Sequence, residues 1–232
     1  MSDHVLATVA WGMNGTVPPI DRDAALEQWM KDRTGPMSEW YEVGKQILWS
    51  RLPENSPLLK RYGDPASGTL APHIEIPLGF PVENINLGLI ILLTPHSRGT
   101  VKLASSNPFD APLLDPNYLS HPFDMEAIIE GIRIAKRWYT GPAWDGFLTG
   151  FLGPDPDNST QPRGEFENAF KASVDGFLHP VGTAAMSPAG SKKGVVDSQL
   201  KVKGLNGLRV VDASAIVGQY SFSDWIHGLI FD

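Results

Sequence analysis

The stretch "HIEIPLGFPVENINLGLIILLTPHSRGTVKLAS" (residues 73–105) decides the fold. "HIEIPLGF" and "NINLGLIILLTP" carry β-branched and aromatic residues at strand spacing, and "GTVKLAS" alternates Val101 and Leu103 against Lys102 and Ala104. His96-Ser97-Arg98-Gly99 reads as the turn that folds the last two runs into a hairpin, which makes the sheet at least partly antiparallel. Upstream, Val5 to Trp11 is another strand-like run, closed by a turn cluster at Gly12, Asn14 and Gly15. Asp21 or Asp23 then caps a helix with Leu26, Trp29 and Met30 on one face, stopped by Gly35-Pro36. A second short helix is predicted over Ser38 to Trp49, followed by a long surface loop from Pro53 to Pro72. Downstream, a crossing from Asn107 to Pro122 leads into a helix with the stripe Ile128, Ile132, Ala135 and Trp138, and with Asp124 or Glu126 near its positive end. Gly141 to Gly164 reads as loop, Glu165 to about Val174 as a short helix, and the segment from Leu200 through "LRVV" as a hairpin and a buried strand. The fold class is therefore α+β, a mostly antiparallel sheet with flanking helices.

A chain of 232 residues with 42% hydrophobic content can build one large domain or two small ones around a sizeable core. The net charge of -7 and the lack of any long Lys/Arg run argue against nucleic acid as a partner, because phosphates need a clustered basic face. The most apolar segment, Ile85 to Pro95, is too short to cross a bilayer and suits a buried strand, so no membrane partner is expected. The opening "MSDHVLATVAW" has no basic segment followed by an apolar one, so no secretory signal is expected and the compartment stays open. With no cysteine there are no disulfides or thiolate metal sites. His73, His96 and His121 lack metal-ligand spacing and read as turn or surface residues, and Asn84, Asn86 and Asn117 as turn formers. Trp11, Trp29, Trp40, Trp49, Trp138 and Trp144 read as core more readily than as the lining of a substrate pocket.

The chemistry points to a second stretch, "FLHPVGTAAMSPAG" (residues 177–190). Imidazole titrates near neutral pH, so His179 can serve as a general base without a large environmental shift. Pro180 and Gly182 beside it shape a tight backbone. A lone histidine between apolar residues is more often structural than catalytic, and only the surrounding motif reverses that balance. Asp212, at the end of "LRVVDAS", reads equally well as a strand end bonding a nearby loop or as a cofactor contact.

"HPVGTAAMSP" followed by "GVVDSQLKVKGLNGLRVVDAS" resembles the C-terminal signature of the glucose-methanol-choline (GMC) oxidoreductases, and among them is most similar to fungal aryl-alcohol oxidases. "SDHVLATVAW" resembles the segment after that family's Asn-Leu-x-Asp-His motif, and "LTPHSRGTVKLASSNPFDAPLLDPNYLSHPFD" its Pro-x-Ser-Arg-Gly and Pro-Asn-Tyr-Leu blocks. The resemblance implies an FAD-dependent alcohol oxidoreductase acting on a small, aromatic alcohol. It implies that His179 takes the hydroxyl proton while the carbinol carbon gives hydride to flavin N5. It also implies that Asp212 and Ala213, with Ser214, touch the flavin's ribityl and pyrophosphate region, while the protein positions the cofactor.

Two departures limit the transfer. The chain contains no Gly-x-Gly, so the motif that cradles the pyrophosphate is not in it. The expected division is a substrate-binding domain over residues 1–170 and a partial FAD-facing segment over 171–232, with the nucleotide-binding N-terminal half as the missing partner and the chain alone inactive. The tail "AIVGQYSFSDWIHGLIFD" also differs from the family. The position of the family's second active-site residue falls near Ser223, and the neighbours of His227 do not match it. The competing reading is a non-catalytic binding module built from the substrate domain.

Overall fold

The computed structural model describes residues 1–17, 19–38 and 46–217. Its centre is β1 (Val5–Met13), whose alternating "VLATVAWGM" buries Val5, Ala7, Val9 and Trp11 on one face. The other strands are β2 (Gln46–Ser50), β3 (Ile74–Leu78), β4 (Phe80–Val82), β5 (Ile85–Leu92), β6 (Thr100–Lys102), β7 (Leu113–Asp115), β8 (Leu148–Leu152) and β9 (Val174–Gly176). One antiparallel sheet runs β2-β3-β5-β1-β8, with β4 paired to β5 and β9 paired to β1. Its spine is the β1/β5 register from Val5 opposite Leu92 to Gly12 opposite Ile85.

The helices are α1 (Arg22–Asp32), α2 (Pro57–Tyr62), α3 (Pro122–Tyr139) and α4 (Arg163–Lys171). The α3 stripe of Phe123, Ala127, Ile128, Ile132 and Ala135 packs on Ile74, Ile76, Ile90 and Leu92, joined by Phe166 and Phe170 of α4. Gly131 allows the contact, because a Cβ there would stand 2.5 Å from Ile90 Cγ2. The start of α3 is fixed electrostatically. The fully buried Asp124 carboxylate accepts the His96 and Ser97 N–H groups (2.7 and 2.9 Å) close to the positive helix end.

Several sequence expectations change. Residues 46–50 form strand β2, not the end of a helix, because Ile47 and Trp49 alternate with Leu48 along an edge paired to β3; residues 39–45 of that predicted helix lie outside the described residues. The hairpin across His96–Gly99 does not form. Asp124 holds that loop against α3, so β6 leaves the main sheet and pairs with β7. The 53–72 and 141–164 loops contain α2 and β8, and β8 joins β1. His73 is fully buried, accepting the Leu52 N–H at Nδ1 (3.0 Å) and meeting Asp64 at Nε2 (2.9 Å). Asn86 is buried within β5. Trp138 is half-exposed on α3, and Leu26 and Met30 of α1 are exposed. The predicted buried "LRVV" strand forms only a loose hairpin, with Lys201 bridged to Arg209, and its Val211 is 72% exposed.

Candidate functional site

His179 sits where a left-handed step turns the chain outward. Leu178 has φ 57° and is 88% exposed, and His179 and Pro180 after it are exposed. Such backbone is strained for leucine and persists only when its flanks are tied. Here Phe177 N–H donates to His4 O (3.0 Å), and Val181 and Ser2 exchange two backbone hydrogen bonds (2.8 and 2.9 Å). The His179 N–H donates to Asp3 Oδ1 (2.9 Å), and Asp3 Oδ2 accepts the Tyr118 hydroxyl (2.6 Å). Burial and then the Asp3 carboxylate hold the Tyr118 phenol well above its ordinary pKa, so it stays a donor. Glycine is required opposite this pair, since a Cβ on Gly176 would collide with the Tyr118 hydroxyl and lie 2.6 Å from Asp3 Oδ2.

The second imidazole of the site is His4. Its Nδ1 lies 3.0 Å from His179 Nδ1, with the rings edge to face at 5.1 Å and 85°. Phe177 meets His179 edge to face at the same distance. Burial, then the charge of His179, pull the His4 pKa down to about 4, so His4 is neutral at neutral pH. Its Nε2 is buried and meets no hydrogen-bond partner among the described residues.

A row across the sheet brings in two more groups. Trp49, Glu75, Ile91 and Leu6 are successive partners on β2, β3, β5 and β1. Ile74 and Ile76 enter the core, so alternation puts Glu75 on the opposite face, away from α3. Trp49 Nε1 donates to Glu75 Oε2 (3.3 Å). Burial raises the Glu75 pKa, opposed by the Trp49 hydrogen bond and by the charge of His179. Glu75 and His179 thus share one electrostatic neighbourhood.

Asp212 and Ala213 are joined to the His179 strand. Gly182, Ala184 and Met186 donate their N–H groups to the carbonyls of Ala213 (3.4 Å), Ser214 (2.8 Å) and Ala215 (2.9 Å). Gly182 has φ 83°, the region that favours glycine. The Asp212 carboxylate accepts Ser214 N–H (2.8 Å) and Oγ–H (2.5 Å), capping the 3-10 turn Ala213–Ala215. Those bonds hold its pKa below the ordinary carboxylate range. Both Asp212 and Ala213 are exposed. Ser223 and His227 lie outside the described residues.

Sequence reasoning missed Asp3, His4, Tyr118, Glu75 and Trp49 as members of this site. "SDH" and the "PNYL" block carried the signal for three of them, but nothing local shows that residues so far apart in the chain converge on His179. Glu75 stands out only once the strand period is accepted, as a carboxylate between two core isoleucines. On the α3 side of the sheet, Trp11, Tyr139, Trp144 and Phe151 line a separate open groove of about 330 Å³. Among the described residues no helix is long and apolar enough to cross a membrane, and no group of three or more His, Asp or Glu could hold a metal ion.

Comparison with known proteins adds a relationship. Residues 95–221 match the family model described as GMC oxidoreductase. The dehydrogenase eriK of Hericium erinaceus is 32% identical over 235 residues, covering 92% of this chain and 39% of that protein. Pyranose dehydrogenase of Agaricus campestris is 32% identical over 237 residues, covering 93% and 39%. Among solved structures, formate oxidase of Aspergillus oryzae, a protein in which FAD is modified, superimposes with a TM-score of 0.78 at 24% identity, over 94% of this chain and 43% of that one. A fungal aryl-alcohol oxidase superimposes with a TM-score of 0.72 at 22% identity, over 94% and 44%. These structures share the α+β fold. The chain spans about two fifths of the length of the curated relatives it matches.

Proposed function

The chain belongs to the GMC oxidoreductase family, and from that premise we propose that it is the C-terminal part of an FAD-dependent oxidoreductase that oxidises a primary, aromatic alcohol. Residues 1–170 are the substrate-binding domain and residues 171–232 part of the FAD-facing segment, with β9 tying the second back onto the sheet of the first. FAD is present in relatives such as formate oxidase. The residues here fit such a group. The His179 ring, Asp212 and Ala213 face outward on hydrogen-bonded neighbouring segments, Gly182 keeps the backbone between them bare, and the buried His4 Nε2 has an unmet hydrogen bond among the described residues.

A flavin held beside His179 would supply the acceptor for the hydride of the carbinol carbon. His179 takes the hydroxyl proton, so the alcohol loses one proton and one hydride and leaves as an aldehyde. Asp3 holds the His179 backbone. Asp212 and Ala213 would help hold the cofactor at its ribityl and pyrophosphate region. The observation that carries this reading is the outward imidazole of His179, met at Nδ1 by His4 on a backbone whose N–H Asp3 accepts.

The sequence holds no Gly-x-Gly, so the pyrophosphate cradle has to come from the nucleotide-binding portion, and this chain alone does not turn over alcohols. Misplacement of a reacting group by about 1 Å can cost roughly 10²-fold in rate. The purified 232-residue chain should show no stoichiometric flavin band. Joined to a nucleotide-binding portion, His179→Ala should slow flavin reduction by about 10²- to 10⁴-fold with little change in substrate affinity. Reduction at wild-type speed in single turnover removes the base role. The aromatic groove around Trp144 favours one other reading, a binding module for an aromatic small molecule. Saturable binding of benzyl alcohol that Trp144→Ala abolishes and His179→Ala leaves intact would select it.

A further inference from the structure

Building on the reading of His179 as the base, we propose that His4 and His179 form a one-proton relay. Whichever Nδ1 donates decides whether His179 presents a lone pair or an N–H at Nε2, and an acceptor set against His4 Nε2 turns it to the lone pair.

Two neutral imidazoles meeting through Nδ1 atoms 3.0 Å apart share a single N–H. A neutral ring has one proton, so this bond fixes the other two nitrogens in opposite senses. With His4 as the donor, His4 Nε2 is a bare lone pair, His179 carries its proton at Nε2, and no lone pair there can receive a hydroxyl proton. With His179 as the donor, its Nε2 is basic and His4 must carry a proton on its own Nε2.

The surroundings choose between the two. His4 Nε2 is buried and meets no partner among the described residues. A buried N–H without an acceptor is a rarer and costlier defect than a buried acceptor left without a donor. The chain alone therefore stands with His4 donating and His179 non-basic at Nε2. Burial keeps His4 neutral down to a pH near 4, so His4 itself carries a single proton across the neutral range. Neither oxygen of Asp3 interferes, since one accepts the His179 backbone N–H and the other the Tyr118 hydroxyl. Once a carbonyl-type oxygen meets His4 Nε2, that atom gains by carrying a proton, and the shared N–H passes to His179 Nδ1. The base would thus be assembled only when its surroundings are. His4 is on this account a positioning residue, acting through His179.

Long-range ¹H–¹⁵N spectra of the ¹⁵N-histidine-labelled 232-residue chain at pH 7.5 read each tautomer directly, without any catalysis. His4 should be protonated at Nδ1 and His179 at Nε2. A His179 protonated at Nδ1 in this chain overturns the relay while leaving the base role standing, whereas loss of the base role would show only in the flavin-reduction kinetics of His179→Ala. In the His4→Phe chain, His179 should become a mixture of tautomers, and unchanged His179 signals overturn the proposal; His4→Asn serves if the phenylalanine variant does not fold. In the chain joined to its nucleotide-binding portion, His179 should switch to Nδ1–H. A switch only after loading with FAD assigns the acceptor oxygen to the flavin, a switch already present without FAD assigns it to polypeptide, and no switch in either state overturns the relay.

Discussion

The sheet with its helices and the segment after β9 obey different rules. In the first, Val5, Ala7, Ile74, Ile90, Phe123, Ile128 and Ile132 are wholly buried, and the apolar period of each element ends on a partner of matching period. In the second, only Val181, Val196 and Ala215 are buried among the described residues, while Val211, Val217, Leu205 and Leu208 stand at least half exposed. That segment is shaped by backbone hydrogen bonds, such as those from Gly182, Ala184 and Met186 to residues 213–215, with little packing. Exposed apolar side chains after β9 contrast with the paired, buried faces of the sheet and α3. The difference separates a part held by packing from a part held by backbone hydrogen bonds.

The sharpest way to break that contrast is to injure the first region. Phe123→Ala removes a fully buried ring between α3 and the sheet, and should cost about 3–5 kcal/mol. Denaturant unfolding followed by tryptophan fluorescence measures it. A loss below about 1 kcal/mol would mean that the α3 interface is not the main source of stability.

Acid tests the junction between the regions. His4 and His73 both have pKa values lowered by burial, so their unfolded forms bind protons first, near pH 6.5. Their contribution is fully present above about pH 6.5 and drains away as pH falls toward the folded values, which for His4 is about 4. For His4 alone the loss is of order 3 kcal/mol. Thermal midpoints should fall steadily over that window, and His4→Phe should flatten the slope by its own share. An equal slope in the variant would show that His4 is not buried in the folded chain.

How much of this was legible beforehand follows from how local each signal is. The strands around Val9 and Ile90, and the helix carrying Ile128 and Ile132, announce themselves because period and burial coincide within one element. The hairpin at His96–Gly99 was misread because its fate is set by Asp124, some thirty residues on, whose carboxylate captures the turn's N–H groups. Residues 46–50 were misread because five residues with two aliphatic side chains and a tryptophan carry no period long enough to separate strand from helix without their β3 partner. The candidate site divides in the same way. His179, Asp212 and Ala213 sit in a recognisable order, but Asp3, His4 and Tyr118 reach His179 only through tertiary contacts that no spacing encodes.

Gly176→Ala probes that hidden half. The new methyl collides with the Tyr118 hydroxyl, which must leave Asp3, and the Asp3 hold on His179 N–H loosens with it. One lost charge-assisted hydrogen bond and modest overpacking together correspond to about 1–3 kcal/mol. Faster amide exchange at His179 than at core amides such as Ile90 would locate the damage. Exchange accelerated equally throughout would place it in the core.

The smallest effect is expected from Val211→Ser. At a site 72% exposed, with no packing to lose, the change should move the stability of this chain by less than about 0.5 kcal/mol in either direction. The same substitution should matter when the nucleotide-binding portion is present, because burial of a valine side chain is worth about 1.5–3 kcal/mol. Measured in both settings, the difference isolates the cover from the fold. Equal, negligible effects in both would mean that Val211 stays bare, and would count against the proposal that the face after β9 receives a nucleotide-binding portion.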